Sequence, residues 1–300
     1  MVGMYDADAL DYVMRDAYHS GTLEYGMVDV DRLLNTSFIA VEPNGAMLLC
    51  LHERSLPALR NFLIARLLMY ETVYFHKTCR AFRLGLDELL TDTLVQLQVG
   101  DPWDDLDTYK SLDDFRLLTL HSQLAKKRTK RARRVAEGWK AISERKVEWK
   151  EAYVREEHFH SPRLATFAPE IVEREVSELR DRIRKGLRDL QDKNLAELCE
   201  LGFGRDQAAT LKKIDAETLD LRVDTRVLDV RPEDPLLHPR VSGEQADALV
   251  YNPRIRKVGR KSIYDLIQYV PIRYTAQRVY CRGEYKDVVA LTADLVVQQR

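Results

Sequence analysis

The chain has 300 residues, with 47 Lys and Arg against 48 Asp and Glu and a formal net charge of −1. It is therefore no polycation, and any grip on nucleic acid or phosphate must come from a local patch. An apolar share of 45% with only 13 Gly and 10 Pro supplies a real core, excludes a disordered or fibrous chain, and suits about two domains of ~150 residues each.

In chain order, the spacing predicts a first helix from Asp6 to about His19, closed by Ser20-Gly21, because a glycine just past the last periodic residue is a common helix stop. A short helical piece fits Val28 to Asn35. Phe38 to Val41 and Ala46 to His52 read as two strands joined through Pro43-Asn44-Gly45, where Asn-Gly is a hairpin signal. A long amphipathic helix is expected from Leu56 to Gln98 with a break around Leu84-Gly85, then an acidic loop over Asp101 to Asp107. Helix is expected again over Leu112 to Lys127 and Arg133 to Arg155, followed by a linker bracketed by Pro162 and Pro169 and a charged helix from Pro169 to Leu201. After the helix stop Gly202-Phe203-Gly204 the texture changes. Strands are expected at Thr225 to Val230, Ala248 to Tyr251 and Gln277 to Cys281, with turns around Pro232, Pro235 and Pro239 and a short helix over Ser262 to Tyr269. The boundary expected from this pattern separates a helical region, 1–205, from a smaller α+β lobe, 206–300.

The four cysteines, Cys50, Cys79, Cys199 and Cys281, are scattered without a CxxC pair, which excludes a zinc ribbon and argues against a disulfide framework. The opening residues lack a basic region followed by an apolar one. The most apolar window, Leu56 to Tyr70, is interrupted by Arg60 and Arg66 and falls short of the ~18 uncharged residues of a membrane span. A soluble, cytoplasmic chain with no membrane partner is the expectation.

Two stripes carry candidate chemistry. Asp8, Tyr12 and Asp16 recur at intervals of four and so share one helical face. The spacing fits either a solvated acidic face near a helix start, favoured by the macrodipole, or carboxylates that share a metal or a sugar hydroxyl. Arg66, Tyr70, Tyr74 and Lys77 form a second face. There, two cations could hold a polyphosphate while the phenol rings pack on a sugar or base, or the tyrosines could simply be half-buried beside a snorkelling arginine.

The string DADALDYVMRDAYHSG over residues 6–21, followed by Tyr25-Gly26 and the Asp29 to Leu34 helix, resembles the HD-domain deoxynucleoside triphosphate triphosphohydrolases, the family of the bacterial dGTPase-like enzymes and the vertebrate SAM-and-HD-domain protein. Weaker similarity continues in order through Arg66…Tyr70…Tyr74-Phe75-His76-Lys77, Tyr109-Lys110-Ser111-Leu112-Asp113-Asp114, Glu144-Arg145-Lys146 with Lys150 to Val154, and Arg278 to Cys281. The resemblance implies a mostly α fold: the C-terminal part of an HD-like helical core, a small β-hairpin and a C-terminal α+β lobe. It also implies hydrolysis of a dNTP to deoxynucleoside and triphosphate. Asp8 matches the last metal ligand of the family's H…HD…D set. Tyr12 and Asp16 match groups at the deoxyribose, Arg66 and Lys77 match cations facing the triphosphate, and Tyr74 matches the ring that disfavours a 2′-hydroxyl. Tyr70 stands where the best-known member has a His, and Ala9 where it has a Lys. A divalent metal of the Mg, Mn, Fe or Co type, a nucleotide ligand and a homo-oligomer follow as implied partners.

None of the seven histidines (19, 52, 76, 121, 158, 160 and 238) is followed by Asp, so the H…HD part is absent from this sequence. One carboxylate cannot hold a transition metal alone, and the metal site cannot be completed from this chain. The chain is then the C-terminal portion of a longer enzyme, or one partner of a site shared with another polypeptide, or a non-catalytic nucleotide- or nucleic-acid-binding relative. Lys126, Lys127, Arg128, Lys130, Arg131, Arg133 and Arg134 put seven cations into nine residues. They suit single-stranded nucleic acid or an anionic regulatory nucleotide, or else a solvated stretch balancing the acidic residues at 101–114. His158-Phe159-His160 reads as a surface loop, and Trp139 and Trp149 as packing residues within one helix.

Overall fold

A computed structural model of the chain describes residues 5–41, 45, 47–126, 129–160, 169–229, 247–262, 271 and 273–298. In chain order its elements are α1 (Ala7–Ser20), α2 (Val30–Asn35), β1 (Ser37–Val41), β2 (Met47–His52), α3 (Leu56–Met69), a π-helical turn (Tyr70–Tyr74), α4 (Lys77–Gln96), α5 (Leu106–Lys110), α6 (Asp114–Leu124), α7 (Lys130–Ser143), β3 (Trp149–Phe159), α8 (Pro169–Gln191), α9 (Leu195–Glu200), α10 (Arg205–Leu211), β4 (Arg222–Asp229), β5 (Asp247–Asn252), β6 (Lys257–Ser262), β7 (Arg273–Arg282) and α11 (Lys286–Gln298). The fold is mostly α with a small β component. Among the described residues no helix is long and apolar enough to cross a membrane.

Two compact, discontinuous units result: Met1–His76 with Arg155–Glu173 and Thr225–Gln277, and Lys77–Val154 with Arg174–Asp224 and Arg278–Arg300. Both draw on chain from either side of residue 205, so the division expected near that residue and the division by packing are different cuts. The change of texture after 204 marks the turn from α9 into α10, where Gly204 is the N-cap.

In the first unit, α1 starts where the Asp6 side chain accepts the Ala9 N–H at 2.6 Å, and it ends at Gly21, whose φ of +80° is left-handed and whose N–H bonds back to Ala17 and Tyr18. That conformation is open to glycine without the Cβ penalty. Leu10, Val13 and Ala17 form the buried face of α1. The chain then crosses that face so closely that a Cβ on Gly26 would lie 2.9 Å from the Ala17 Cβ. β1 pairs antiparallel with β2 from Ser37↔Leu51 to Val41↔Met47, as the Asn-Gly signal predicts. β2 then pairs parallel with β5, and β5 antiparallel with β6, giving the order β1-β2-β5-β6. Val13, Ala17, Leu33, Phe62, Met69 and Ala276 are fully buried at the centre of this unit.

The long helix expected over 56–98 breaks elsewhere than at Leu84-Gly85. Gly85 lies inside α4, since a helix absorbs one glycine for about 1 kcal/mol. The interruption falls at 70–76, where the Phe75 N–H reaches back five residues to the Tyr70 carbonyl at 2.8 Å.

In the second unit, α8, α9, α10 and α11 surround a core that includes Ile183, Leu187, Leu198, Leu211, Val289 and Ala293. A smaller cluster joins α6 and α7 through Leu120, Leu124, Val135 and Trp139. The helix expected to run to Arg155 stops at Ser143. Arg145 has a φ of +56°, and Trp149–Phe159 is the strand β3, with accessibility alternating along 154–159 as a strand requires. Strand pairing overrides the local helical propensity there: β3, β7 and β4 form a sheet in that order, and each strand contributes residues to both units. Trp139 and Trp149 therefore lie on different elements. The charged helix expected to Leu201 is split by Asn194, which caps α9 in a reciprocal capping box with Glu197. Helix α5 occupies part of the acidic stretch, and β6 and α11 are elements the pattern did not suggest. Pro162, Pro232, Pro235, Pro239 and all but the first residue of the helix expected at 262–269 lie outside the described residues.

Candidate functional site

The two stripes meet within the first unit. Helix α1 projects Tyr12 and Asp16 from successive turns; α3 and the π turn project Arg66, Tyr70 and Tyr74. Arg66 Nε donates to Tyr12 Oη at 3.2 Å, and Tyr74 Oη donates to Asp16 Oδ2 at 2.6 Å. The Tyr70 and Tyr74 rings meet edge-on at 4.9 Å and 66°, Tyr12 and Tyr74 at 6.0 Å and 75°, and the Arg66 guanidinium sits 5.6 Å from the Tyr70 ring centroid, within cation–π range. One carboxylate, one guanidinium and three phenols thus form a single half-buried cluster.

Burial sets the protonation of the phenols. It pushes Tyr12 up to about 12, with the Tyr70 phenol adding to the rise and the Arg66 cation opposing it. Tyr74 is raised further, by burial first and then by its bond to the Asp16 carboxylate. Both are neutral hydroxyls at physiological pH. The cluster can therefore offer hydrogen bonds to a polar ligand, accept one from a ligand hydroxyl at Asp16, and meet an anion at Arg66 through a planar fork of donors.

Two residues of the expected set are exposed. Asp8 is exposed on the first turn of α1, and among the described residues no group of three His, Cys, Asp or Glu side chains could hold a metal ion. The donor set of the described residues does not by itself fit the divalent metal that the resemblance implies. Lys77 opens α4 in the second unit and is exposed. Between Tyr74, the last residue of the π turn, and Lys77 the chain leaves the helix at Phe75 and His76.

In the second unit, Thr129 caps α7 by accepting the Ala132 N–H at 3.2 Å. Ala132, Val135, Ala136 and Trp139 form its buried face. Lys130, Arg131, Arg133 and Arg134 are exposed, as is Lys126 before the helix, and Arg131 pairs with Asp92 at 2.6 Å. Lys127 and Arg128 lie outside the described residues. Cations in a first helical turn oppose the helix dipole, so their placement is not explained by helix stability.

Sequence reading missed a neighbour of the aromatic cluster. His158 lies on β3, not in a loop, and its Nε2 stands 2.7 Å from Glu71 Oε1 on the π turn. Its ring is 5.0 Å from that of Tyr274, which stacks on Phe75 at 6.0 Å and 19°. No local spacing joins residues 87 positions apart, and the sequence Val154-Arg155-Glu156-Glu157-His158-Phe159 shows no apolar alternation that would mark a strand.

Comparison with known proteins fits this architecture. An uncharacterized protein of Methanocaldococcus jannaschii is 41% identical over 78 residues, 26% of this chain and 17% of that protein. An uncharacterized protein of Mycoplasma genitalium is 38% identical over 81 residues, 27% of this chain and 19% of the relative. The crystal structure of a hypothetical protein from Aquifex aeolicus shares the fold with a TM-score of 0.58 at 24% identity, over 96% of this chain and 57% of that one. The chain thus spans little more than half the length of this solved structure, and the matched segments are less than a fifth of each of these two relatives. Residues 28–181, from α2 into α8, match the model of the HD-associated region. The chain belongs to that family and is an HD-domain-related protein.

Proposed function

We propose that this chain is the nucleotide-gripping part of an HD-type phosphohydrolase and that its ligand is a deoxynucleoside triphosphate. The observation that carries this is the convergence of Tyr12 and Asp16 on α1 with Arg66, Tyr70 and Tyr74 on α3 and the π turn. These are the residues that the resemblance to dNTP triphosphohydrolases assigns to sugar and phosphate. Asp16 accepts from the sugar hydroxyl, Arg66 meets phosphate, and the Tyr74 ring lies against the sugar. In a complete site a divalent metal would supply water activation. The described residues include no group of three His, Cys, Asp or Glu side chains to place that metal, so the role proposed for this chain is the grip on the nucleotide.

The exposed cations that open α7 against its dipole favour a second reading, a binding module without turnover. The exposed cations of α7 would then serve a nucleic acid or an anionic nucleotide as the principal partner. The experiment is equilibrium binding of the four dNTPs, ATP and inorganic triphosphate to the chain, followed by triphosphate release with Mg²⁺, Mn²⁺ or Co²⁺. The proposal expects deoxynucleotides to bind more tightly than ATP. Failure of every dNTP to bind overturns it, and tight binding without release favours the module.

A further inference from the structure

We infer that His158 is a positioning residue of the aromatic cluster, because it meets Glu71 on the π turn that carries Tyr70 and Tyr74 and, through Tyr274 and Phe75, is linked to the Tyr70 ring. This rests on the ligand reading above for its consequence, though not for its geometry.

A π turn is an unusual state for a helix and is frequent at functional sites. It persists only if its surroundings hold it. Here the turn is gripped from two sides. On the cluster side, Tyr74 Oη is bonded to Asp16 Oδ2 at 2.6 Å. On the other side, Glu71 meets His158 Nε2 at 2.7 Å. The second hold is doubled, because the His158 ring lies 5.0 Å from Tyr274, Tyr274 stacks on Phe75, and Phe75 meets the Tyr70 ring edge-on at 5.3 Å. Tyr274 is 1% exposed and Phe75 7%, so this stack is a fixed wall, whereas Glu71 and His158 lie nearer the surface with side chains 23% and 44% exposed.

Releasing the outer hold frees Glu71, and the wide turn can then relax toward ordinary helical hydrogen bonding. That relaxation rotates Tyr70 and Tyr74 relative to Asp16. Arg66, one turn earlier on α3, keeps its place. The effect should therefore fall on the sugar side of the ligand and spare the phosphate side. A residue that only supported general stability would weaken both alike.

The experiment compares wild type with His158→Ala and His158→Gln, the latter keeping an amide donor near the Nε2 position. Two readouts are taken: amide hydrogen exchange of residues 70–76, and binding of dATP against inorganic triphosphate. His158→Ala should speed exchange of the Phe75 and His76 amides and raise the dATP Kd by about fivefold, the scale of one hydrogen bond, with triphosphate binding unchanged. His158→Gln should restore most of both. Unchanged exchange at 70–76 in His158→Ala overturns the inference whatever dATP does, and so does an equal loss of dATP and triphosphate. Faster exchange in a protein whose wild type binds no dNTP upholds His158 as the anchor of the turn and overturns the ligand reading instead.

Discussion

Tyr74 and Asp16 stand 58 positions apart in sequence, yet the tyrosine hydroxyl donates to the carboxylate at 2.6 Å. The bond joins α1 to the π turn and aims both side chains at one place. Replacing Tyr74 with Phe removes a half-buried donor and leaves the carboxylate without that partner, which should lower stability by about 1–3 kcal/mol. Denaturant unfolding with an unchanged m-value would measure it; no loss of stability would mean the bond is not formed in solution.

Ligand binding divides the carboxylates. Asp16 lies inside the cluster and Asp8 on an exposed turn. Asp16→Ala should therefore weaken dNTP binding about tenfold or more, the scale of a charge-assisted hydrogen bond. Asp8→Ala should change it little in metal-free buffer. Titration calorimetry of the two variants side by side decides the matter, since equal losses would sink the assignment of Asp16 to the sugar.

These contacts were partly legible in the residue pattern. The interval of four in Asp8, Tyr12 and Asp16, and again in Arg66, Tyr70 and Tyr74, announces two faces, and the caps at Asp6 and Gly21 set where the first helix begins and ends. That the faces meet is a tertiary fact; it followed from the family resemblance and not from spacing. The π turn was not legible, because one inserted residue leaves no mark on periodicity short of its neighbours' packing. Nor was β3, whose Trp149 to Arg155 segment carries helix-compatible charges and becomes strand only by pairing in the sheet with β7. His158 was lost with it, since a histidine misplaced into a loop has no visible partner at Glu71.

Alkaline pH should destabilise the first unit in a defined window. The folded Tyr12 phenol is pushed up to about 12, above the ordinary value near 10. Between these values the unfolded chain releases a proton that the folded one keeps, so stability falls as pH rises. The contribution is fully present below pH 10 and is lost on the way to pH 12. Tyr74 is shifted in the same direction. Tyr12→Phe should flatten part of this decline in denaturant midpoint measured from pH 8 to pH 12; an unaltered slope would show that Tyr12 titrates normally.

In the second unit the charge pair to test is Arg80 and Asp224. Nε and Nη2 of the arginine donate to the two carboxylate oxygens at 2.7 and 2.9 Å, with side chains only 11% and 7% exposed. The carboxylate also holds the Arg80 guanidinium above its usual pKa. Removing one member of so buried a pair takes a bidentate partner from a desolvated charge, so Arg80→Ala should cost about 3–5 kcal/mol. The double variant Arg80→Met, Asp224→Leu should recover much of that loss, because neither buried charge then remains. A double variant as unstable as Arg80→Ala would mean that these side chains act through other neighbours.

The cations of α7 invite the last test. Lys130, Arg133 and Arg134 are exposed on a helix whose opposite face is buried through Val135 and Trp139, so charge reversal there leaves the core intact. If this face meets a polyanion, Arg133→Glu with Arg134→Glu should weaken binding of single-stranded DNA and reduce the salt dependence of its affinity by about 0.7 per lost phosphate contact. Arg131→Glu is a poorer probe, because it also breaks the ion pair with Asp92. Measured between 50 and 200 mM salt, about the range over which such contacts lose most of their strength, a slope equal to that of wild type would assign these residues to solvation.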